Sequence, residues 1–184
     1  MPIYKYEGEM GKDCSLSSIL GTMSQGTTLT GGLNKVDVTE KYNYIAYIDG
    51  SCAPKNPGGT AVSKFLLFDH TGPTLQKKHS ESNILGSGPQ FSNNVAEWGA
   101  LIALLDYIKG NMFFSTSPNN QLSILVKSDS MMLVQQVLGE FQIKTGLYKE
   151  SALLGIEKWE ELKSKFRLDI VHIPREENLA HGVK

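Results

Sequence analysis

Tyr44-Ile45-Ala46-Tyr47-Ile48, followed at once by Asp49-Gly50-Ser51, is a short apolar run closed by turn chemistry. Such a pattern predicts a buried strand running into a turn. Working outward, two more strands are expected. Ala61 to Asp69 carries Val62, Phe65, Leu66, Leu67 and Phe68, and after the turn residues His70-Thr71-Gly72-Pro73 a more polar strand covers Leu75 to Ser82. The period then changes. Over Asn94 to Lys109, Glu97, Leu101, Leu104 and Ile108 share one helical face, while Val95, Trp98, Ile102 and Leu105 share an adjacent one. That helix is apolar over most of its circumference and is expected to be largely buried. Further on come a strand at Leu122 to Ser128, a short helix at Met131 to Leu138, a longer one at Ser151 to Phe166, and a last strand at Leu168 to Ile173. Three strands followed by alternating strands and helices predict an α/β domain, a five-stranded mixed sheet flanked by helices.

A chain of 184 residues with 40% hydrophobic content can bury one good core, so one domain is expected. The net charge is −1 and the pI about 6.4, which excludes a broad basic field, and any phosphate-binding surface must be local. Cys14 and Cys52 form neither a disulfide framework nor a metal-site spacing, and reduced thiols fit a cytoplasmic setting. No run approaches the roughly 18 apolar residues of a membrane span, and the opening Met-Pro-Ile-Tyr-Lys-Tyr-Glu lacks a signal-peptide core, so no membrane association is expected. Residues 11 to 33 are crowded with Gly, Ser and Thr and show no periodicity. Residues 1–40 therefore read as an extension or linker, with Ile3 to Glu7 a candidate isolated strand, and residues 41–184 as the folded domain.

Three acids fall where a ligand site forms on such a scaffold: Asp49 at the end of the first strand, Asp129 at the end of the fourth, and Glu97 in the first turn of the buried helix. Carboxylates converging at strand ends repel one another unless cations lie between them, and an oxygen-rich cluster suits Mg²⁺ or Mn²⁺. Each acid also has a plain structural reading. Asp49 can make an Asx turn into Gly50, Asp129 can cap the Met131 helix, and Glu97 can close a capping box with Asn94 as N-cap. Glu97 is the hardest to explain this way, because it shares a face with Leu101 and Leu104, where an unpaired charge is costly.

As a set, the motifs resemble the ribonuclease H family, type 1. Ile48-Asp49-Gly50-Ser51-Cys52 with Asn56-Pro57-Gly58-Gly59 resembles the family's first strand and turn. Ser92-Asn93-Asn94-Val95-Ala96-Glu97 resembles its first helix, Ser128-Asp129-Ser130 its fourth strand, and His172-Ile173-Pro174-Arg175-Glu176-Glu177-Asn178 the approach to its last helix. Gly139-Glu140-Phe141-Gln142-Ile143-Lys144 is similar to the subgroup lacking the basic protrusion. The resemblance spans Tyr44 to the C-terminus and implies a sheet of strand order 3-2-1-4-5. The family places a fourth aspartate four residues after the position of Asn178, where this chain has Gly182, and a one-residue deletion aligns His181 instead. Asn178 is the alternative fourth site, or the N-cap of a last helix that would run past Lys184.

The resemblance implies an endonuclease that cuts the RNA strand of RNA–DNA hybrids to 5′-phosphate and 3′-hydroxyl ends. Two Mg²⁺ ions, or Mn²⁺, would be held by Asp49, Glu97, Asp129 and His181, with Asp49 bridging, one ion activating water and the other stabilising the leaving oxygen. It places Ser51, Cys52, Asn56, Asn93, Asn94 and Ser130 at the substrate, where recognition of the 2′-hydroxyl separates RNA from DNA. Lys55, Lys77, Lys78 and Lys127 are candidate phosphate contacts. A monomer is expected. The competing expectations are a non-catalytic hybrid-binding module of the same family, and another nuclease on the same fold.

Overall fold

The computed structural model describes residues 42–111 and 122–182. The expected extension over residues 1–40, with the Ile3 to Glu7 strand and Cys14, lies outside the described residues. In chain order the elements are β1 (Tyr44–Ala53), β2 (Thr60–Asp69), β3 (Gln76–Ser87), α1 (Asn93–Asn111), β4 (Ser123–Ser128), α2 (Met131–Val137), α3 (Lys149–Lys163) and β5 (Arg167–His172), followed by a 3-10 turn at Arg175–Glu177. The strands form one mixed sheet in the order β3-β2-β1-β4-β5. The β3-β2-β1 part is an antiparallel meander, while β1, β4 and β5 run parallel.

Central strand β1 is buried on both faces, which is why its sequence reads as a continuous apolar run rather than an alternation. Tyr44, Ala46 and Ile48 join the main core with Phe65, Leu67, Ile124, Val126, Leu168 and Ile170. Over that face pack α1, α2 and α3, contributing Trp98, Leu101, Leu104, Leu133, Val134, Trp159 and Leu162 among others. Ile45 and Tyr47 point the other way, into a smaller cluster with Leu66, Ile173 and Ala180. Helix α1 starts where the Ser92 hydroxyl accepts the Val95 N–H at 3.3 Å. It is covered by the sheet on one side and by α3 on the other, as its nearly all-round apolar sequence requires. Between α2 and α3, residues 138–148 contain turns and no helix.

Two expectations need correction. Strand β1 does not stop at Asp49: it runs on to Ala53, because the hairpin with β2 continues through the pair Ala53↔Thr60. Its parallel pairing with β4 does end there, at Ile48↔Ser128. Gly50 is therefore a strand residue, not a turn residue, and the reason for glycine is a close approach. A Cβ at position 50 would run into the backbone of Ala96 and Glu97 in α1. Strand and helix meet main chain to main chain at this point.

Substitution Gly50→Ala is expected to lower unfolding stability by about 1–3 kcal/mol or more, because the neighbouring atoms are backbone and cannot swing aside. Gly110→Ala, also in α1 but with open space around its added methyl, should raise stability by up to about 1 kcal/mol through helix propensity. Urea unfolding of both variants checks the pair, and a Gly50→Ala protein as stable as the parent would show that helix and strand can part here.

Candidate active site

The next residues after the last parallel pair are Asp49 on β1 and Asp129 after β4, where the two strands separate. Sheet openings at the carboxyl ends of parallel strands are where α/β folds place ligands. Asp49, Asp129 and His181 each present a ligand atom there, and these atoms all lie within 4.8 Å of one another. The His181 Nδ1 is 3.5 Å from Asp49 Oδ1. Burial, then the charge of Asp129, pushes the Asp49 carboxyl above the usual carboxylate range, with His181 and Arg175 pulling the other way.

Glu97 arrives from α1, whose backbone lies against Gly50. It is buried, and its carboxyl is pushed up to about 9 by that burial and by the charges of Asp49 and Asp129, against a weaker opposing hydrogen bond from the Gly50 N–H. Its Oε2 is buried and has no hydrogen-bond partner among the described residues. Buried polar atoms are rarely left orphaned, and those that are call for a reason. Glu97 stands beside the close cluster of three ligand atoms rather than within it, near enough to feel the charges of Asp49 and Asp129.

The plain structural readings of Glu97 and Asp129 do not match what their side chains do, and Asp49 lies within β1 rather than at a turn. Glu97 lies beyond the first turn of α1, Ser92 rather than Asn94 caps that helix, and the Glu97 carboxylate accepts from Gly50 instead of reaching back to the cap. The N-cap of α2 is Ser130, with no side-chain cap hydrogen bond, and Asp129 turns instead to Asn178, whose Nδ2 donates to its Oδ1 at 2.6 Å. Asn178 does not cap a last helix within the described residues, since 179–182 form turns. Arg175 Nε donates to His181 Nε2 at 3.0 Å. A guanidinium can only donate, so in the neutral imidazole the ring proton sits on Nδ1, facing Asp49.

The other residues singled out from sequence are spread around this opening. Ser51 and Asn93 are exposed, and Asn94 and Ser130 half-buried. Asn56 is occupied structurally: its Oδ1 accepts the Asn93 N–H at 2.9 Å, tying the β1–β2 turn to the start of α1. The Cys52 thiol is buried and donates to the Lys55 carbonyl at 3.3 Å. Lys78 donates to the Tyr44 hydroxyl at 3.4 Å and Lys127 sits over the Tyr47 ring, while Lys55 and Lys77 are exposed. Two charges near the acids escaped sequence reasoning. Lys64 pairs across from Asp49 in the hairpin register, and Asp49 opposes the lowering of its pKa by burial. Arg175 acts on both Asp49 and Glu97. Lys64 had no signal beyond the hairpin, whose register a six-residue turn leaves open; Arg175 lay inside the motif block before Asn178.

No family model matches the chain. Among solved structures it is similar to LC11-RNase H1, crystallised in complex with an RNA/DNA hybrid, with 30% identity and a TM-score of 0.56 over 74% of this chain and 88% of that one. A further structure of LC11-RNase H1, isolated from compost by a metagenomic approach, matches with 28% identity and a TM-score of 0.58, covering 74% and 87%. RNase H1 from the halophilic archaeon Halobacterium salinarum NRC-1 matches with 25% identity and a TM-score of 0.55, covering 74% and 89%. With its strand order, its acids at the opening between β1 and β4, and 30% identity across most of an RNase H1, the chain belongs to the type 1 ribonuclease H family.

Proposed function

We propose that this chain is a divalent-metal-dependent endonuclease that hydrolyses the RNA strand of RNA–DNA hybrids, leaving 5′-phosphate and 3′-hydroxyl ends. The observation that carries the reading is the gathering of Asp49, Asp129 and His181 ligand atoms within 4.8 Å, with the orphaned Glu97 Oε2 beside them. The donor set fits a hard cation: three carboxylates and one imidazole, with one buried oxygen lacking any partner of its own. Asp49, Glu97, Asp129 and His181 would hold the ions, two Mg²⁺ with Mn²⁺ as a substitute. Bound there, such ions supply an activated water and stabilise the charge on the leaving oxygen.

The chain's own contribution is position and field. Asp49 comes from the central strand, feels the charge of Asp129 and acts in turn on Glu97, which favours it as the shared ligand. Family membership and the exposed Ser51 and Asn93, with half-buried Asn94 and Ser130, support a hybrid rather than a DNA duplex as substrate, the 2′-hydroxyl being the distinguishing group. The exposed Asn56 and the buried Cys52 belong to the same substrate-facing turn, which they also brace through the Asn93 N–H and the Lys55 carbonyl. The reading places the enzyme in the cytoplasm as a monomer. One observation favours a second reading, a hybrid-binding module without cleavage: the Arg175 bond keeps a proton on the His181 nitrogen that faces Asp49.

Incubation with labelled RNA–DNA hybrid, duplex DNA and duplex RNA, each with Mg²⁺ or Mn²⁺, separates the two readings, and cleavage confined to the hybrid is expected. Asp49→Asn should cut that rate by at least about a thousandfold, equivalent to about 4 kcal/mol of barrier, with the circular dichroism spectrum unchanged. An Asp49→Asn protein that still cuts hybrids at the parental rate would overturn the assignment. His181→Ala should lower the rate severely, whereas His181→Asp should preserve or raise it, because a carboxylate binds Mg²⁺ better than imidazole does. Parental rates in both variants would remove His181 from the site.

The metal-free protein offers a separate test of Glu97. Its carboxyl ionises near 4.5 when unfolded but only at about 9 when folded. Between those values the folded state holds the extra proton, so stability is full at the acid end and is lost as pH rises towards 9. Chemical unfolding in chelator at pH 6 and pH 9 should show that decline in the parent and a flatter profile in Glu97→Gln. Parallel profiles would mean that Glu97 is not buried as a carboxyl.

A further inference from the structure

We propose that Asn178 is a positioning residue for the metal site, holding Asp129 and the end of β1 in register through its side-chain amide without binding a cation itself. The inference rests on the metal-dependent reading above and assigns a role to a residue that the family comparison leaves open between ligand and cap.

The amide makes three hydrogen bonds. Asn178 is buried, and its Nδ2 donates to the Ile48 carbonyl at 2.8 Å and to Asp129 Oδ1 at 2.6 Å, while its Oδ1 accepts the Ala180 N–H at 3.0 Å. Both amide hydrogens and the amide oxygen are therefore engaged, and the nitrogen, which carries no lone pair for a metal, is the atom that faces Asp129. The main chain of the same residue adds a fourth tie, its carbonyl accepting the His181 N–H at 2.9 Å. Three of the four ties end on different parts of the site, and the fourth, to Ala180, closes the turn itself. Ile48 is the last residue of β1 paired with β4, and the next residue is Asp49. Asp129 is a ligand in its own right, and His181 is delivered by the turn that Asn178 closes.

The residue type follows from these partners. Ile48 offers a carbonyl and Asp129 a carboxylate, both acceptors, so two donors on one short side chain are needed. Aspartate has none at neutral pH, and serine has one. A carboxylate has lone pairs enough to accept from Asn178 and still ligate a cation. With the carboxylate and the β1 main chain fixed before a cation arrives, the ordering cost is met by folding rather than by binding. Groups that orient ligands in this way typically change metal affinity by about 10–100-fold when removed.

Mn²⁺ binding, followed through the electron paramagnetic resonance signal of the free ion, tests the proposal directly. Asn178→Ala should bind Mn²⁺ about 10–100-fold more weakly than the parent. Ile170→Val, a core trim distant in the sheet, serves as the control for lost stability and should keep the parental affinity. If Asn178→Ala is folded and binds Mn²⁺ as the parent does, the positioning role is overturned, and the nuclease reading stands on the parent's own binding and cleavage. A parent that neither binds Mn²⁺ nor cuts hybrid overturns both. Should Asn178→Ala fail to fold, the parent itself decides: its Asn178 side-chain amide signals in a nitrogen-15 spectrum should move on Mg²⁺ titration with the half-saturation of hybrid cleavage, and unmoved signals overturn the proposal.

Discussion

Strand β1 and helix α1 meet backbone to backbone at Gly50, and the acid cluster depends on that contact. A side chain at this position would hold the helix away from the sheet by the width of a methyl group. The Glu97 carboxylate, which takes a hydrogen bond from the Gly50 N–H, would be carried off with it. The same approach seats Trp98, Leu101 and Leu104 in the core, so the main apolar cluster and the buried carboxyl share one anchor. The helix cannot relax away from its buried carboxyl without surrendering apolar burial worth about 1.5–3 kcal/mol for each large side chain.

The site works against its own charges in a graded way. Asp49 is partly open to solvent and faces Asp129 and His181, whereas Glu97 is enclosed and feels both other acids. Arg175 reaches all of this from outside, opposing the upward shift at Asp49 and at Glu97. Its second task, donating to His181 Nε2, makes it the hinge between the charge balance of the acids and the orientation of the imidazole. The cluster thus contains one buried carboxyl whose ionisation is opposed both by its burial and by the charges of the other two acids.

Much of this was legible in the sequence, for identifiable reasons. The two-sided burial of β1 showed as an unbroken apolar run, and the change to helical period at Asn94 marked α1 to within a residue of its start. The charge on an apolar helical face at Glu97 pointed to a site without any structure. Asp49-Gly50-Ser51 misled, because the residues have turn chemistry but the pairing with β2 carries the strand through them, a tertiary preference that local propensity does not contain. Asn178 was readable only as a cap or a ligand, since the partners that define it, Ile48 and Asp129, stand 130 and 49 positions away along the chain. Lys64 escaped for a similar reason, being placed by hairpin register alone.

The parallel pairing of β1 with β4 has a consequence in time. Asn43 and Ser123, bonded at the start of that pairing, are 80 residues apart. Closing so long a loop is slow compared with forming the β1–β2–β3 meander or helix α1, whose contacts are local. During synthesis the ribosome releases Asp49 and Glu97 first, then β4 with Asp129, and only afterwards the turn bearing Asn178 and His181. The order of the elements along the message therefore makes the turn bearing Asn178 and His181 the last part of the site to emerge, after every residue that Asn178 ties together upstream of it.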